Sequence, residues 1–130
     1  MIHIPADREI FDRSSATFWF DDDGILNAVS KNVPRDLETV KSNGDFLNSL
    51  LKGQKVCCLY DTTLAGRMSA ESRAFVKKQL PGLYKAVAII TKSTVGKMFG
   101  TIIYALMPSN IPVKMFNDEA EARNWLKQYL

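Results

Sequence analysis

The chain has 130 residues, enough for one domain with its own hydrophobic core, and 46% hydrophobic with 24% charged residues is an ordinary globular composition. No apolar run reaches the roughly 18 uncharged residues that a spanning helix needs, and the charged N-terminus lacks the apolar core of a signal peptide. We therefore expect a single domain over residues 1–130 with no transmembrane segment, and residues 1–14 as a mobile N-terminal segment.

The charge distribution and the cysteine content indicate the cellular compartment and the class of partner. Residues 1–50 hold nine acidic and five basic side chains, whereas residues 51–130 hold five acidic and twelve basic ones. The basic residues are scattered and are not interleaved with aromatic residues, so nucleic-acid binding is not expected. Cys57 and Cys58 are neighbours in an apolar run, where strand geometry points them to opposite faces and prevents their pairing. The chain has no other cysteine, which favours a reducing, cytoplasmic location.

The first two predicted strands are the apolar runs Ala16 to Phe20 and Ile25 to Val29. The Asp23–Gly24 step between them is typical of a β-hairpin turn. The three aspartates there are not followed by the spaced ladder of acidic residues that a calcium loop needs, so we predict a turn and no metal site.

Helices then alternate with apolar strands. Helical periodicity, capping residues and Pro or Gly breaks mark their ends. In chain order the pattern predicts a helix from Pro34 to about Gly53, a strand over Lys55–Tyr60, a helix over Ser69–Leu80, a strand over Leu83–Ile90, a helix over Val95–Met107, a strand over Val113–Phe116 and a terminal helix that buries Ala122, Trp125, Leu126 and Tyr129. This alternation predicts an α/β fold, with a mostly parallel or mixed sheet covered by about four helices.

Polar residues follow the strand Lys55–Tyr60, at the end where open α/β sheets usually dock ligands and partners. Ser69 is placed to cap the next helix, and Glu71 lies in the favourable first turn of that helix. We predict a partner-binding edge at this position. Its candidate residues are Asp61, Thr62, Thr63, Arg67, Ser69, Ala70 and Glu71.

A second polar turn precedes the apolar helix Val95–Met107. Its candidate anion-binding residues are Lys92, Ser93, Thr94 and Lys97, because backbone N–H groups at a helix start attract anions. The simpler interpretation is that Ser93 or Thr94 caps the helix.

The helix Val95–Met107 is unusually apolar and must be covered broadly. Gly96 and Gly100, four residues apart, permit close backbone approach. Tight packing on the sheet is one explanation, and a share in a homodimer interface is the other. Peripheral contact with lipid is a further use of such a helix.

No catalytic constellation is present in the sequence. His3 is the only histidine, so neither a histidine triad nor a cysteine–histidine metal set can be assembled. Each cysteine lies in a predicted core strand, where a thiol is usually inert. We therefore expect neither an enzyme nor a cofactor.

Three segments carry a family resemblance: the strand closing on L-Y-D-T-T, the loop L-A-G-R-M-S-A-E-S-R, and the final M-F-N-D-E-A-E-A-R-N-W-L. From about Thr17 onward the chain resembles the STAS-like proteins related to the sporulation anti-sigma-factor antagonist, the SpoIIAA-like family. The resemblance implies that fold and a regulatory role. Setting Asp61 against the family's strand-end aspartate places Ala70 on its phosphorylated serine, and alanine has no hydroxyl to modify.

Two functional hypotheses follow. The first is a non-catalytic regulatory or protein-interaction module that lacks the family's phosphorylatable serine, with Glu71 as a permanent, crude substitute for the phosphate charge. The second is a small-ligand or lipid-binding module with an apolar cavity of roughly 300 Å³ or more beneath the Val95–Met107 helix.

Overall fold

The computed structural model describes residues 2–130 as one six-stranded sheet with four α-helices. Two short 3₁₀ turns, Leu80–Gly82 and Lys127–Tyr129, follow the second and fourth helices. The elements are β1 (Phe11–Asp12), β2 (Ala16–Phe20), β3 (Leu26–Ser30), α1 (Leu37–Leu51), β4 (Val56–Asp61), α2 (Ala70–Gln79), β5 (Tyr84–Ile90), α3 (Thr94–Leu106), β6 (Val113–Phe116) and α4 (Glu119–Leu126).

The strands lie in chain order across a mixed sheet. β1, β2 and β3 pair antiparallel, and β3 to β6 pair parallel. This confirms the predicted α/β class with an N-terminal hairpin. The turn of the hairpin uses Gly24 at φ 77°, and the Asp21 carboxylate accepts hydrogen bonds from the backbone of Asp23 (2.9 Å) and Ile25 (3.0 Å). At least one of the three aspartates therefore stabilises the predicted turn.

The sheet separates two hydrophobic cores. Cys58 faces the core that α1, α2 and α3 cover, and Cys57 faces the core that α4 covers. The neighbouring thiols thus point to opposite faces, as strand geometry predicts. The parallel strands β4 and β5 are buried on both sides, which explains their nearly continuous apolar sequences.

Part of the N-terminal segment expected to be mobile, residues 1–14, makes contacts with the rest of the chain. Residue 1 lies outside the described residues. Ile2 is buried against the α4 side of the sheet, and its backbone N–H donates to the Asp61 carboxylate at 2.7 Å. Phe11 and Asp12 form the short edge strand β1. The segment is held by a distant carboxylate, which no local sequence pattern indicates.

Trp125 also departs from expectation. Trp125, predicted to be buried, is only half-buried and packs between Phe116 and Tyr129, with ring centroids 5.7 Å and 5.1 Å away. Trp19 is instead the buried tryptophan, at 2% exposure. α4 is short and lies at one side of the sheet, so a large side chain at its end reaches solvent.

Candidate functional site

The loops that follow β4 and β5 lie side by side at one end of the sheet. The Ser93 hydroxyl donates to the carbonyl oxygen of Thr63 at 2.6 Å, and the Lys92 backbone N–H donates to the Thr63 hydroxyl at 3.1 Å. The Thr62 hydroxyl donates to the carbonyl oxygen of Gly96 at 2.8 Å. The structure therefore brings the two candidate groups together. We call residues 62–71 and 91–98 the loop edge.

Two of the candidate partner-binding residues are buried and cannot contact a partner directly. Asp61 and Thr62 are both at 0% exposure. One carboxylate oxygen of Asp61 accepts from Thr63 N–H at 2.9 Å, and the other accepts from Ile2 N–H. This corrects their assignment as contact residues. Strand β4 ends in the protein interior, and both side chains hold the following loop in place by hydrogen bonds.

Ser69 caps α2, as predicted from the sequence. Its hydroxyl accepts from the Ser72 N–H at 3.2 Å and lies 2.8 Å from the Ser72 hydroxyl. Ser72 itself is fully buried. Ala70 and Glu71 are exposed in the first turn of the helix. Of the candidate partner-binding residues, the exposed ones are therefore Arg67, Ser69, Ala70 and Glu71, and Thr63 is half-buried.

Ser93 caps α3 in the same way. Its hydroxyl accepts from the Gly96 N–H at 2.9 Å, and a hydroxyl has one proton, which goes to Thr63. Ser93 is therefore not available to donate to an anion, and capping is the interpretation that the geometry supports. Lys92, Thr94 and Lys97 remain exposed around it.

The sequence indicated an apolar helix but not which of its apolar residues are exposed at the loop edge. Leu64, Val95 and Met98 are exposed by 46%, 60% and 64%. α3 buries Phe99 and Ile103 on its sheet side, whereas Met98, one position before Phe99, faces solvent and Val95 is exposed in the first turn of the helix. The helical spacing was visible in the sequence, but nothing in it shows which of two apolar faces packs.

The two glycines of α3 are explained by packing against the sheet side. A Cβ atom at Gly96 would collide with the carbonyl oxygen of Thr62, and one at Gly100 would lie 3.0 Å from side-chain atoms of Ile89 and Met115. The glycines let the helix approach β5, β6 and the first loop closely. Their spacing therefore needs no dimer interface to account for it.

The loop edge lies in a strongly basic part of the chain. Between residues 62 and 117, Glu71 is the only acidic residue. The basic residues in that range are Arg67, Arg73, Lys77, Lys78, Lys85, Lys92, Lys97 and Lys114. Three of them, Arg67, Lys92 and Lys97, are exposed on the loop edge beside the apolar residues.

The buried thiols are poor nucleophiles. Burial raises the pKa of Cys58 to about 12, and it also raises the pKa of Cys57 and of the neighbouring Tyr84 phenol. Both thiols therefore stay protonated near neutral pH. Residues 2–130 also bring together no group of three or more His, Cys, Asp or Glu side chains able to hold a metal ion.

A cavity of about 80 Å³ lies between the sheet and the helices α1, α2 and α3. Phe99, Ile103 and Met107 line it, so it is the space beneath the apolar helix. Pockets for lipids or drug-sized ligands begin at roughly 300 Å³. The cavity is therefore too small for a lipid, and the lipid-binding hypothesis is not supported.

Comparison with known proteins agrees with the fold. Residues 18–130 match the family model described as Domain of unknown function (DUF7793). No curated protein matches the chain. A crystal structure of an uncharacterized protein of the DUF3478 family from Shewanella loihica PV-4, described as having a SpoIIAA-like fold, is similar over 86% of this chain and 92% of its own, with a TM-score of 0.63 and 20% identity. This likeness confirms the SpoIIAA-like fold. Within residues 2–130, none of the helices combines the length and apolar character needed to cross a bilayer.

Proposed function

The chain belongs to the family described as Domain of unknown function (DUF7793), and we propose that it is a non-catalytic interaction module that binds an acidic protein partner at its loop edge. The observation that carries this proposal is the exposure of Leu64, Val95 and Met98 next to basic side chains. Exposed large apolar residues gathered at one place are typical of interaction surfaces.

The loop edge is preformed. Hydrogen bonds within the chain, from Ser93 and Lys92 to Thr63 and from Thr62 to Gly96, join its two loops. A surface that is already ordered loses less conformational entropy on binding, which leaves more of the contact energy for affinity. An ordered loop edge is therefore better suited to binding than a loop that must become ordered when the partner arrives.

Charge complementarity selects the partner. Arg67, Lys92 and Lys97 are exposed on the same two loops as the apolar residues, and Glu71 is the single acidic residue between residues 62 and 117. A partner with acidic residues around an apolar anchor would fit both features and would be steered by long-range attraction. We expect the complex to weaken as salt concentration rises.

Binding of this kind needs no phosphorylation. Ala70 carries no hydroxyl, Ser72 is buried, and the Ser69 hydroxyl caps α2. The phosphorylation switch that the SpoIIAA-like resemblance implies therefore has no hydroxyl at its aligned position, Ala70, and the module would act constitutively. A cytoplasmic location belongs to the same proposal, because Cys57 and Cys58 are free thiols.

The test is affinity capture from native extract, followed by binding measurements with the purified partner. Met98→Glu places a negative charge on the loop edge and should abolish capture, whereas Tyr104→Glu, also exposed on α3 but nearer its C-terminal end, should retain it. Both variants are first checked for folding. A captured protein that both variants retain equally would contradict the site.

Glu71→Lys distinguishes a partner that recognises the basic residues from one that recognises the Glu71 carboxylate. An acidic partner should bind this variant as well as or better than the wild type. Loss of binding would show that Glu71 is the recognised charge, which would overturn the acidic-partner proposal. Light scattering of the purified chain tests for a homodimer. If the chain is a dimer and Met98→Glu dissociates it, then a second copy of the chain occupies the loop edge.

A further inference from the structure

A buried arginine lines the cavity beneath α3 without an acidic partner. Arg35 is only 4% exposed. Within residues 2–130, no carboxylate lies within ion-pair distance of its guanidinium. A guanidinium stays charged in proteins, and a buried charge is costly unless an opposite charge or several hydrogen bonds offset that cost. The position therefore has an unbalanced positive charge inside the fold.

Backbone carbonyls offset part of this cost. Nη1 of Arg35 donates to the carbonyl oxygens of Lys31 (3.3 Å) and Val33 (3.0 Å), and Nη2 donates to that of Ser15 at 2.6 Å. The guanidinium also lies 4.9 Å from the centre of the Phe99 ring, a cation–π contact. A guanidinium has five N–H donors, so these three bonds leave two for a further acceptor.

A second buried polar group lines the same cavity. The side-chain oxygen of Asn43 is buried and has no hydrogen-bond partner among residues 2–130. Rotation of an amide by half a turn exchanges its oxygen for its NH₂ group, so Asn43 can also donate. Most of the remaining lining is apolar, and none of the lining residues is acidic.

We propose that this cavity binds a short-chain carboxylate of the size of acetate or propionate, with its carboxylate on Arg35 and its hydrocarbon beside Val87 and Ile103. An arginine–carboxylate pair forms strong, charge-assisted hydrogen bonds and neutralises the buried charge. The volume limits the chain length: an engineered apolar cavity of about 150 Å³ holds benzene, and this cavity is about 80 Å³. The inference does not rest on the acidic-partner proposal, because Leu64, Val95 and Met98 do not line the cavity.

The test is an NMR titration of the isotope-labelled chain at constant ionic strength, with sodium chloride replaced stepwise by sodium propionate. Saturable shifts are expected at the Arg35 side-chain N–H and at the methyl groups of Val87 and Ile103. Propionamide has the same shape without the charge and should bind at least about tenfold more weakly. Hexanoate is too long for the cavity and should cause none of these shifts.

Variants locate the binding site. Ala28→Leu adds three carbons to the lining of the cavity while keeping Arg35, and it should abolish the shifts. Arg35→Lys keeps a charge but loses the planar fork, so the affinity should fall about tenfold or more. The matched control is Arg13→Lys, because Arg13 also lies over a phenylalanine ring, 4.6 Å from the centre of Phe46, but outside the cavity. If Arg35→Lys does not fold, Ala28→Leu and the ligand series decide.

Several results would overturn the proposal. One is the absence of saturable shifts up to about 100 mM propionate, the weakest affinity expected of so small a ligand. Another is an equal response to propionamide, which would remove the role of the charge. Binding that survives Ala28→Leu would place the ligand elsewhere. If only water enters the cavity, then the carbonyl oxygens and the Phe99 ring are sufficient to stabilise the buried charge of Arg35.

Discussion

Ser93 joins the loop after β5 to Thr63 in the loop after β4. Its hydroxyl donates to the carbonyl oxygen of Thr63 at 2.6 Å and accepts from the Gly96 N–H at 2.9 Å. One side chain therefore caps α3 and holds the two halves of the loop edge together. The shape of the proposed binding surface depends on this residue.

Removing the Ser93 hydroxyl should destabilise the fold through both bonds. For Ser93→Ala we expect the free energy of unfolding to fall by about 1–2 kcal/mol, the usual cost of losing a helix cap. Urea denaturation measures this change. Thr94→Ala, at the next and exposed position, is the control and should change stability by less than about 0.5 kcal/mol. Equal effects of the two substitutions would contradict the structural role of Ser93.

Asp61 should be essential for holding the N-terminal segment. Asp61→Ala leaves the backbone N–H groups of Ile2 and Thr63 without their carboxylate acceptor. An unsatisfied buried donor costs about 1–3 kcal/mol, so we expect a loss of at least about 2 kcal/mol in unfolding free energy. Hydrogen exchange at both amides should accelerate. Asp7→Ala, at an exposed carboxylate, should leave exchange there unchanged; unchanged exchange in Asp61→Ala would refute the anchoring role.

The two tryptophans should differ in their contribution to stability. Trp19 is buried at 2% exposure, and Trp19→Ala should cost about 3–5 kcal/mol. Trp125 is half-buried against Phe116 and Tyr129, so Trp125→Ala should cost less, about 1–2 kcal/mol. Chemical denaturation of the two variants under identical conditions provides the comparison. An equal or reversed order would show that α4 packs differently.

Alkaline pH should destabilise the protein partly through Cys58. The pKa of its thiol rises from 9.0 to about 12 on burial. Between these values the unfolded chain loses a proton that the native state keeps, so the stability present below pH 9 is lost as pH rises. The slope for one such proton is about 1.4 kcal/mol per pH unit.

Cys58→Ala should therefore make the decline of unfolding free energy above pH 9 shallower. The buried Tyr84 phenol, whose pKa is also raised, should keep some of the decline in the variant. Cys57→Ala, on the opposite face, is the control and should retain most of the wild-type slope, because the positive charge of Lys85 opposes the rise of the Cys57 pKa that burial causes. Identical pH profiles for wild type and Cys58→Ala would contradict this assignment.

Much of the secondary structure could be predicted because its signals are local. β2 and β6 have the bounds that the pattern predicted, and Ser69 begins α2 as its cap. The Asp-Gly step correctly marked the hairpin turn. β1 was missed, since a strand of two residues leaves no periodicity and exists only because β2 offers it an edge.

The sequence indicated two separate polar turns, and it did not show their accessibility. The residues after β4 were expected at the docking end of the sheet, and the structure brings Thr63 of that loop into direct contact with Ser93 of the second turn. That Asp61 and Thr62 are buried, whereas Val95 and Met98 are exposed, could not be read from residue type. Polarity alone would have suggested the reverse.

The sequence by itself determined the order of the elements, the residues that cap the helices and the alternation of strand side chains between the two faces of the sheet. Each of these features depends on residues within one helical turn or two strand positions of one another. Tertiary structure alone decided which face of α3 is covered, where residues 2–12 lie and that Arg35 is buried beside a cavity. These features depend on contacts between elements far apart in the chain. Burial and pairing are set by which surfaces meet, and one sequence read along its length does not contain that information.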